Sequence, residues 1–293
     1  MSTPSLLIAG AGGAVGKHLV EQCSANKTHS LRLLTRSKKK MEDAFSTHSS
    51  AQHTIVEADV LRPQTLVGAC QGVDTVISTI GASLDIRAIN DKNSFHTVDL
   101  QGNINLLKEA QKSGVRKFVY LSAFGAATMN TAYTNAHEEF VRHLKASGLE
   151  YGVVRPTGFF YVNCEFLDMA RRGTAWLVGN GKASTNPIHE EDVAKACMEA
   201  ALGQGNREMN IGGPETFTRQ EIAELAFQTL GKRPRIFHSP FAMTQVMKPL
   251  LSVFNPRIAE LVEFLGYVAT HECVAPVYGQ KRLGDYFLAA ARA

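Results

Sequence analysis

Residues 6–16 read Leu-Leu-Ile-Ala-Gly-Ala-Gly-Gly-Ala-Val-Gly, an apolar run that ends in glycines spaced three apart at Gly10, Gly13 and Gly16. In a tight turn such glycines allow positive φ and let backbone N–H groups close on a pyrophosphate. They also let the next helix pack against the strand. The amphipathic Lys-His-Leu-Val-Glu-Gln that follows starts a helix, whose N-terminus adds partial positive charge toward the same anion. Together these form a dinucleotide-binding signature over Gly10, Gly12, Gly13, Ala14, Val15 and Gly16. About twenty residues beyond Gly16 comes Arg36. An acidic side chain there would bond a ribose 2′-hydroxyl, whereas a guanidinium pairs with a 2′-phosphate. Arg36, with Ser37 and the nearby Lys40, therefore predicts NADP(H). The Lys38–Lys40 run reads equally well as a solvated surface patch.

These groups need a scaffold, and the patterning supplies one. Strands are expected at 31–35, 54–57, 75–78, 117–121 and 151–154 after the first apolar run, with helices at 16–24, 65–70, 95–112 and 135–146. Alternating strands and helices specify an α/β, Rossmann-type doubly wound parallel sheet. Its strand ends converge on one ligand-binding edge. Residues 1–155 are read as this dinucleotide-binding domain. Residues 156–293, less regular, are read as a smaller C-terminal α/β subdomain that covers the substrate and is integrated with the first part. That half holds a Gly-Asn-Gly-Lys turn at 179–182, a helix within 188–201 and a strand at 209–211. A helix over 218–230 opens on a capping-type Thr-Arg-Gln-Glu, and helical stretches follow at 240–254 and 257–265.

Composition narrows the class. With 293 residues, 44% hydrophobic and 20% charged, the chain is an ordinary globular sequence with room for one large or two modest domains. A net charge of +4, without a basic stripe interleaved with aromatics, argues against nucleic acid as a partner. The five cysteines are scattered and lack metal-ligand spacing, which suits free thiols and a reducing, cytoplasmic setting. Met-Ser-Thr-Pro is too short and polar to be a signal peptide. No apolar run reaches the length of a membrane span.

The chain resembles the atypical branch of the short-chain dehydrogenase/reductase superfamily, in particular its NmrA-like and isoflavone-reductase-like groups. The resemblance rests on the glycine turn at 10–16, Leu-Leu-Thr-Arg at 33–36 and Val-Tyr-Leu-Ser at 119–122. Ser-Gly-Leu-Glu-Tyr-Gly-Val-Val-Arg-Pro-Thr-Gly-Phe-Phe at 147–160 and Ile-Gly-Gly-Pro-Glu at 211–215 extend it. It implies adenine contacts at Asp59 and Val60, although Asp59 is equally suited to cap the helix after Pro63. It implies an adenosine and ribose path along Thr79, Ile80 and Gly81, and further cofactor contacts at Pro156, Thr157, Gly158 and Phe159.

Related reductases transfer a hydride to a carbonyl while a tyrosine donates the proton and a serine bonds the substrate oxygen. A lysine four residues after the tyrosine bonds the ribose. The resemblance places Ser122, Tyr133 and His137 in these positions, so histidine replaces lysine. Either His137 is itself the acid/base or ribose ligand, or the site binds NADP(H) without turnover. Phe124, Phe160 and Tyr161, with Phe159, Phe166 and Met169 nearby, suggest a small apolar or aromatic substrate, and core packing suits half of them as well. His189-Glu190-Glu191-Asp192 has the residue types of a metal site. The resemblance makes it a helix opening instead, so no metal is expected. The expected function is an NADPH-dependent oxidoreductase acting on a carbonyl, enone or quinone. The alternative is a non-catalytic NADP(H)-sensing regulator or assembly protein, and a homodimer is the candidate assembly.

Overall fold

A computed structural model describes residues 4–26, 29–45, 53–84, 93–242, 246, 251–252 and 255–292. Strand β1 (Ser5–Ala9) buries Leu6, Leu7 and Ile8, as a strand covered on both faces must. It pairs in parallel with β2 (Ser30–Thr35) on one side and β4 (Thr75–Ser78) on the other. With β3 (His53–Glu57), β5 (Lys117–Leu121), β6 (Glu150–Pro156) and β9 (Arg207–Ile211), these make a seven-stranded parallel sheet ordered β3-β2-β1-β4-β5-β6-β9. The order reverses between β1 and β4, which opens a crevice at the strands' carboxyl ends. This is the expected Rossmann-type sheet.

One face carries α1 (Ala14–Asn26) and α6 (Glu190–Leu202), which pack on each other over Leu6, Ile8, Val119 and Val154. A Cβ at Gly152 would lie 2.9 Å from that of Ala200, so glycine lets α6 sit close to β6. The other face carries α3 (Asn103–Lys112) and α4 (Ala132–Lys145) over Leu7, Val76, Phe118 and Tyr120, joined by Leu261 and Phe264 of the Pro256–Thr270 helix. A third cluster joins α5 (Phe160–Arg171), α7 (Arg219–Thr229) and the Leu283–Arg292 helix around Phe160, Phe227 and Phe287. Strands β7 (Ala175–Val178) and β11 (Ile236–Ser239) pair in parallel beside it, and β8 (Ser184–Thr185) pairs with β10 (Phe217–Thr218).

Several elements differ from expectation for local reasons. The helix expected at 65–70 is a single 3-10 turn, Pro63–Leu66, stopped before Gly68, which has φ of 78°. The helix expected over 95–112 divides into a wide π-turn, His96–Gly102, and α3. Helix α4 starts three residues earlier than the apolar pattern suggests. Thr131 accepts from the Thr134 N–H, and the Thr134 hydroxyl accepts from the Thr131 N–H. The short strand expected at 209–211 runs from Arg207 and extends the main sheet beyond β6. The Thr218–Glu221 capping box opens α7 as read. Most of the helix expected over 240–254 lies outside the described residues. Among the described residues, no helix is long and apolar enough to cross a membrane.

Candidate functional site

The glycine turn joins β1 to α1. Gly10 has φ of 88°, and a Cβ there would sit 2.6 Å from Thr79 Oγ1. Thr79 in turn donates to Ala9 O at 3.1 Å, pinning the exit of β4 against that of β1. A Cβ at Gly16 would lie 2.1 Å from Gly10 O, so only glycine lets α1 begin this close to the strand. Gly12, Gly13 and Ala14 are exposed, and Val15 turns into the core. The exposed backbone at the head of a long helix fits a pyrophosphate. At the end of β2, Arg36 is exposed and has no ion-pair partner among the described residues. Ser37 Oγ accepts from the Lys40 N–H, so Arg36, Ser37 and Lys40 stand together at the start of α2 (Lys38–Phe45). An exposed arginine with a serine and a lysine within the next four residues suits a phosphate monoester.

Asp59 accepts from the Leu61 N–H at 3.0 Å and lies 3.7 Å from the Arg62 Nε, closing the turn after β3. Val60 is buried against Gly102, and its carbonyl accepts from Asn105 Nδ2. Thr79 and Ile80 are half-buried and Gly81 is exposed, along the path that leaves β4. Beneath them Ser78 Oγ donates to Asn103 Oδ1 at 2.6 Å, and Asn103 Nδ2 reaches Ile80 O and Asp99 O.

The second part of the site lies at the N-terminal end of α4. Tyr133 and His137 stack edge to face, with centroids 4.5 Å apart, as four-residue helical spacing allows. His137 is buried. Its Nδ1 meets the Tyr120 hydroxyl at 2.6 Å, and its Nε2 lies 3.3 Å from Asp99 Oδ1, close but not in hydrogen-bond alignment. Asp99 Oδ2 accepts from the Ala82 N–H at 3.1 Å. The imidazole is therefore held between two protein groups, and the same carboxylate grips the loop after β4. Tyr133 packs between Phe95 and Phe264. Burial, then the charge of Asp99 and the neighbouring Tyr161 phenol, push its pKa far above the ordinary tyrosine value. The Tyr133 phenol is consequently a weaker acid than an ordinary tyrosine.

Ser122 closes β5. Its N–H donates to Val154 O, and its Oγ is buried without a hydrogen-bond partner. Phe124 N–H donates to Pro156 O, which brings the β5 and β6 exits together. Thr157 is tied by its hydroxyl to Asn186 O, Gly158 is exposed, and Phe159 stacks on the exposed Tyr161 at 5.6 Å. Phe160 points the other way, fully buried between His189 and Tyr286.

The His189–Asp192 stretch opens α6. His189 Nδ1 accepts from the Glu191 N–H, Glu190 Oε1 accepts from the Tyr161 N–H, and Asp192 Oδ2 accepts from Gln280 and Lys281. Among the described residues, no three histidine, cysteine or acidic side chains gather as a metal site. Reading the sequence alone overlooks Asp99, Tyr120 and Asn103. The one available signal is an acid set in the apolar stretch Val98-Asp99-Leu100.

A glycine turn at the crevice of a doubly wound parallel sheet is the arrangement of a dinucleotide-binding protein. Residues 10–203 match the family model described as NAD(P)H-binding, which is more than half of the chain, and the chain belongs to that family. It is 26% identical over 289 residues to the photosystem II assembly factor Ycf39 of Synechocystis sp., covering 94% of this chain and 84% of that one. It is 24% identical over 316 residues to the chloroplastic divinyl chlorophyllide a 8-vinyl-reductase of Cucumis sativus, covering 97% and 75%. Two solved structures share the fold. The NADPH-dependent quinone oxidoreductase QOR2 of Escherichia coli, complexed with NADPH, aligns with a TM-score of 0.72, 17% identity and coverage of 98% and 99%. The triphenylmethane reductase of Citrobacter sp., complexed with NADP(H), aligns at 0.69, with 17% identity and 91% of each chain.

Proposed function

We propose that this protein is an NADPH-dependent reductase of a small apolar carbonyl, enone or quinone. The observation that carries the reading is Ser122 Oγ, a buried hydroxyl left without a partner where β5 opens into the crevice. Buried polar atoms are rarely left unpaired, and an acceptor oxygen bound there would satisfy it. In this reading the turn from Gly10 to Gly16 holds the pyrophosphate, and Arg36, Ser37 and Lys40 hold the 2′-phosphate. Asp59, Val60, Thr79, Ile80 and Gly81 line the adenosine side, and Pro156, Thr157, Gly158 and Phe159 the other end. When bound, the cofactor supplies a hydride.

The remaining work falls to the chain's own side chains. Ser122 orients the acceptor oxygen, and Tyr133 is the proton donor to it, although burial and the charge of Asp99 make its phenol a weaker acid than an ordinary tyrosine. Phe124, Phe159 and Tyr161 exclude water from an apolar ring, and Phe160 supports that wall from the core. His137 works through Tyr120 and Asp99, fixing α4 and hence the position of Tyr133.

A second reading, a sensor or assembly protein that binds NADP(H) without turnover, is favoured by the burial of His137, whose Nδ1 is taken by the Tyr120 hydroxyl and whose Nε2 faces Asp99. The resemblance puts a lysine free to reach the ribose at that position. NADPH oxidation, followed by absorbance against a panel of quinones and enones, separates the two. The reductase reading expects turnover that falls at least tenfold in Tyr133→Phe and Ser122→Ala while NADPH affinity is kept. Tight NADPH binding with no turnover on any acceptor would overturn it in favour of the sensor.

A further inference from the structure

Far along the chain from the crevice residues, β7 and β11 present an aromatic pair to solvent. Trp176 is 60% exposed and Phe237 47% exposed. They are register partners in the parallel ladder, and their rings stack at 5.0 Å. Strand alternation sends their neighbours Ala175 and Leu177 into the core, so the outward face consists of this pair. Basic side chains collect at the same end of the two strands. Arg171 and Arg172 end α5, and Lys232, Arg233 and Arg235 lead into β11. Lys232 Nζ donates to Ala170 O and Arg171 O, and the Ala175 N–H donates to Arg235 O, which binds the two arms into one surface. Asp168 answers Arg171 at 2.9 Å and Glu165 stands 3.9 Å from Arg172. Arg233 and Arg235 have no ion-pair partner among the described residues. Five cations against two carboxylates leave the patch positive.

We infer that this face docks the protein on an anionic lipid surface. Tryptophan and phenylalanine beside unpaired arginines fit the boundary between acyl chains and charged headgroups. There the rings leave water while the guanidinium groups stay hydrated and pair with phosphate. Because the rings sit on a paired ladder, no segment must be ordered for them to insert. The surface is independent of the proposed reaction.

The chain has a single tryptophan, so its fluorescence reports this face directly. Phosphatidylcholine vesicles with about 30% phosphatidylglycerol should shift Trp176 emission to the blue and sediment the protein. Vesicles of phosphatidylcholine alone should bind at least tenfold more weakly, and added salt should weaken binding to the anionic vesicles. The double variant Arg233→Glu, Arg235→Glu should lose about thirtyfold in vesicle affinity, and Phe237→Ser about tenfold. Both should keep the wild-type circular dichroism and NADPH affinity. The inference is overturned if neither vesicle type shifts the emission. It is also overturned if the shift grows with protein concentration without lipid, marking an interface between copies, or follows a single-stranded oligonucleotide in place of vesicles.

Discussion

At the β1–α1 turn the working parts are backbone, whereas at the head of α4 they are side chains drawn from four separate elements. The turn needs three glycines, a strand before them and a helix after them, all within one short stretch of chain. The α4 corner needs Asp99 from the π-turn, Tyr120 from β5, and Tyr133 with His137 from α4, closed by Phe264 from the Pro256–Thr270 helix. The first can be altered only by steric intrusion. The second responds to the chemistry of any one of its members. Binding and chemistry should therefore come apart under mutation.

The sharpest break is Gly16→Ala. Its methyl would fall on Gly10 O, so α1 must lift from the sheet. We expect about 3 kcal/mol of lost stability in urea unfolding and no measurable NADPH binding by calorimetry. Arg36→Glu leaves the fold alone and should raise the NADPH Kd about a hundredfold, with NADH affinity unchanged or improved. Equal losses for both nucleotides would mean that Arg36 does not read the phosphate.

Asp99→Asn tests the other region. Asparagine can still accept from the Ala82 N–H but brings no charge to His137. We expect kcat about tenfold lower with NADPH Kd within about twofold of wild type, and a KM effect alone would count against a positioning role. Glu190→Gln should have the smallest effect. Burial raises the carboxyl's pKa above the ordinary 4.5, so the folded chain holds this proton more tightly than the unfolded chain. Its contribution is fully present below that value and fades as pH rises through the folded one. The variant keeps an acceptor for the Tyr161 N–H, so its Tm should match wild type at pH 4 and exceed it by about 2 °C at pH 8. The opposite pH trend would refute the assignment.

The same contrast explains what could be read in advance. The glycine turn, Arg36 at the end of β2, the buried strands and the Thr218 capping box are local, so composition and spacing expose them. Asp99 meets His137 across 38 positions and Tyr120 meets it across 17, and no periodicity records such meetings. Phe160 and Tyr161 are adjacent and aromatic, yet one is core and the other surface, because α5 begins between Phe159 and Phe160. Strand β9 exposes most of its residues, so its place at the edge of the large sheet leaves little mark in its hydropathy.

The π-turn at 96–102 holds one residue more per hydrogen-bonded loop than an ordinary helix, and the Asp99 carbonyl is taken up there by the Asn103 side chain. Deleting a single residue within it would let the segment relax to regular winding. Every side chain upstream of the cut would then swing by roughly 100° about the axis relative to α3. The carboxylate would leave the imidazole and the β4 loop together. An insertion of one amino acid is thus the difference between an ordinary amphipathic helix and one that delivers an anion to the heart of the molecule.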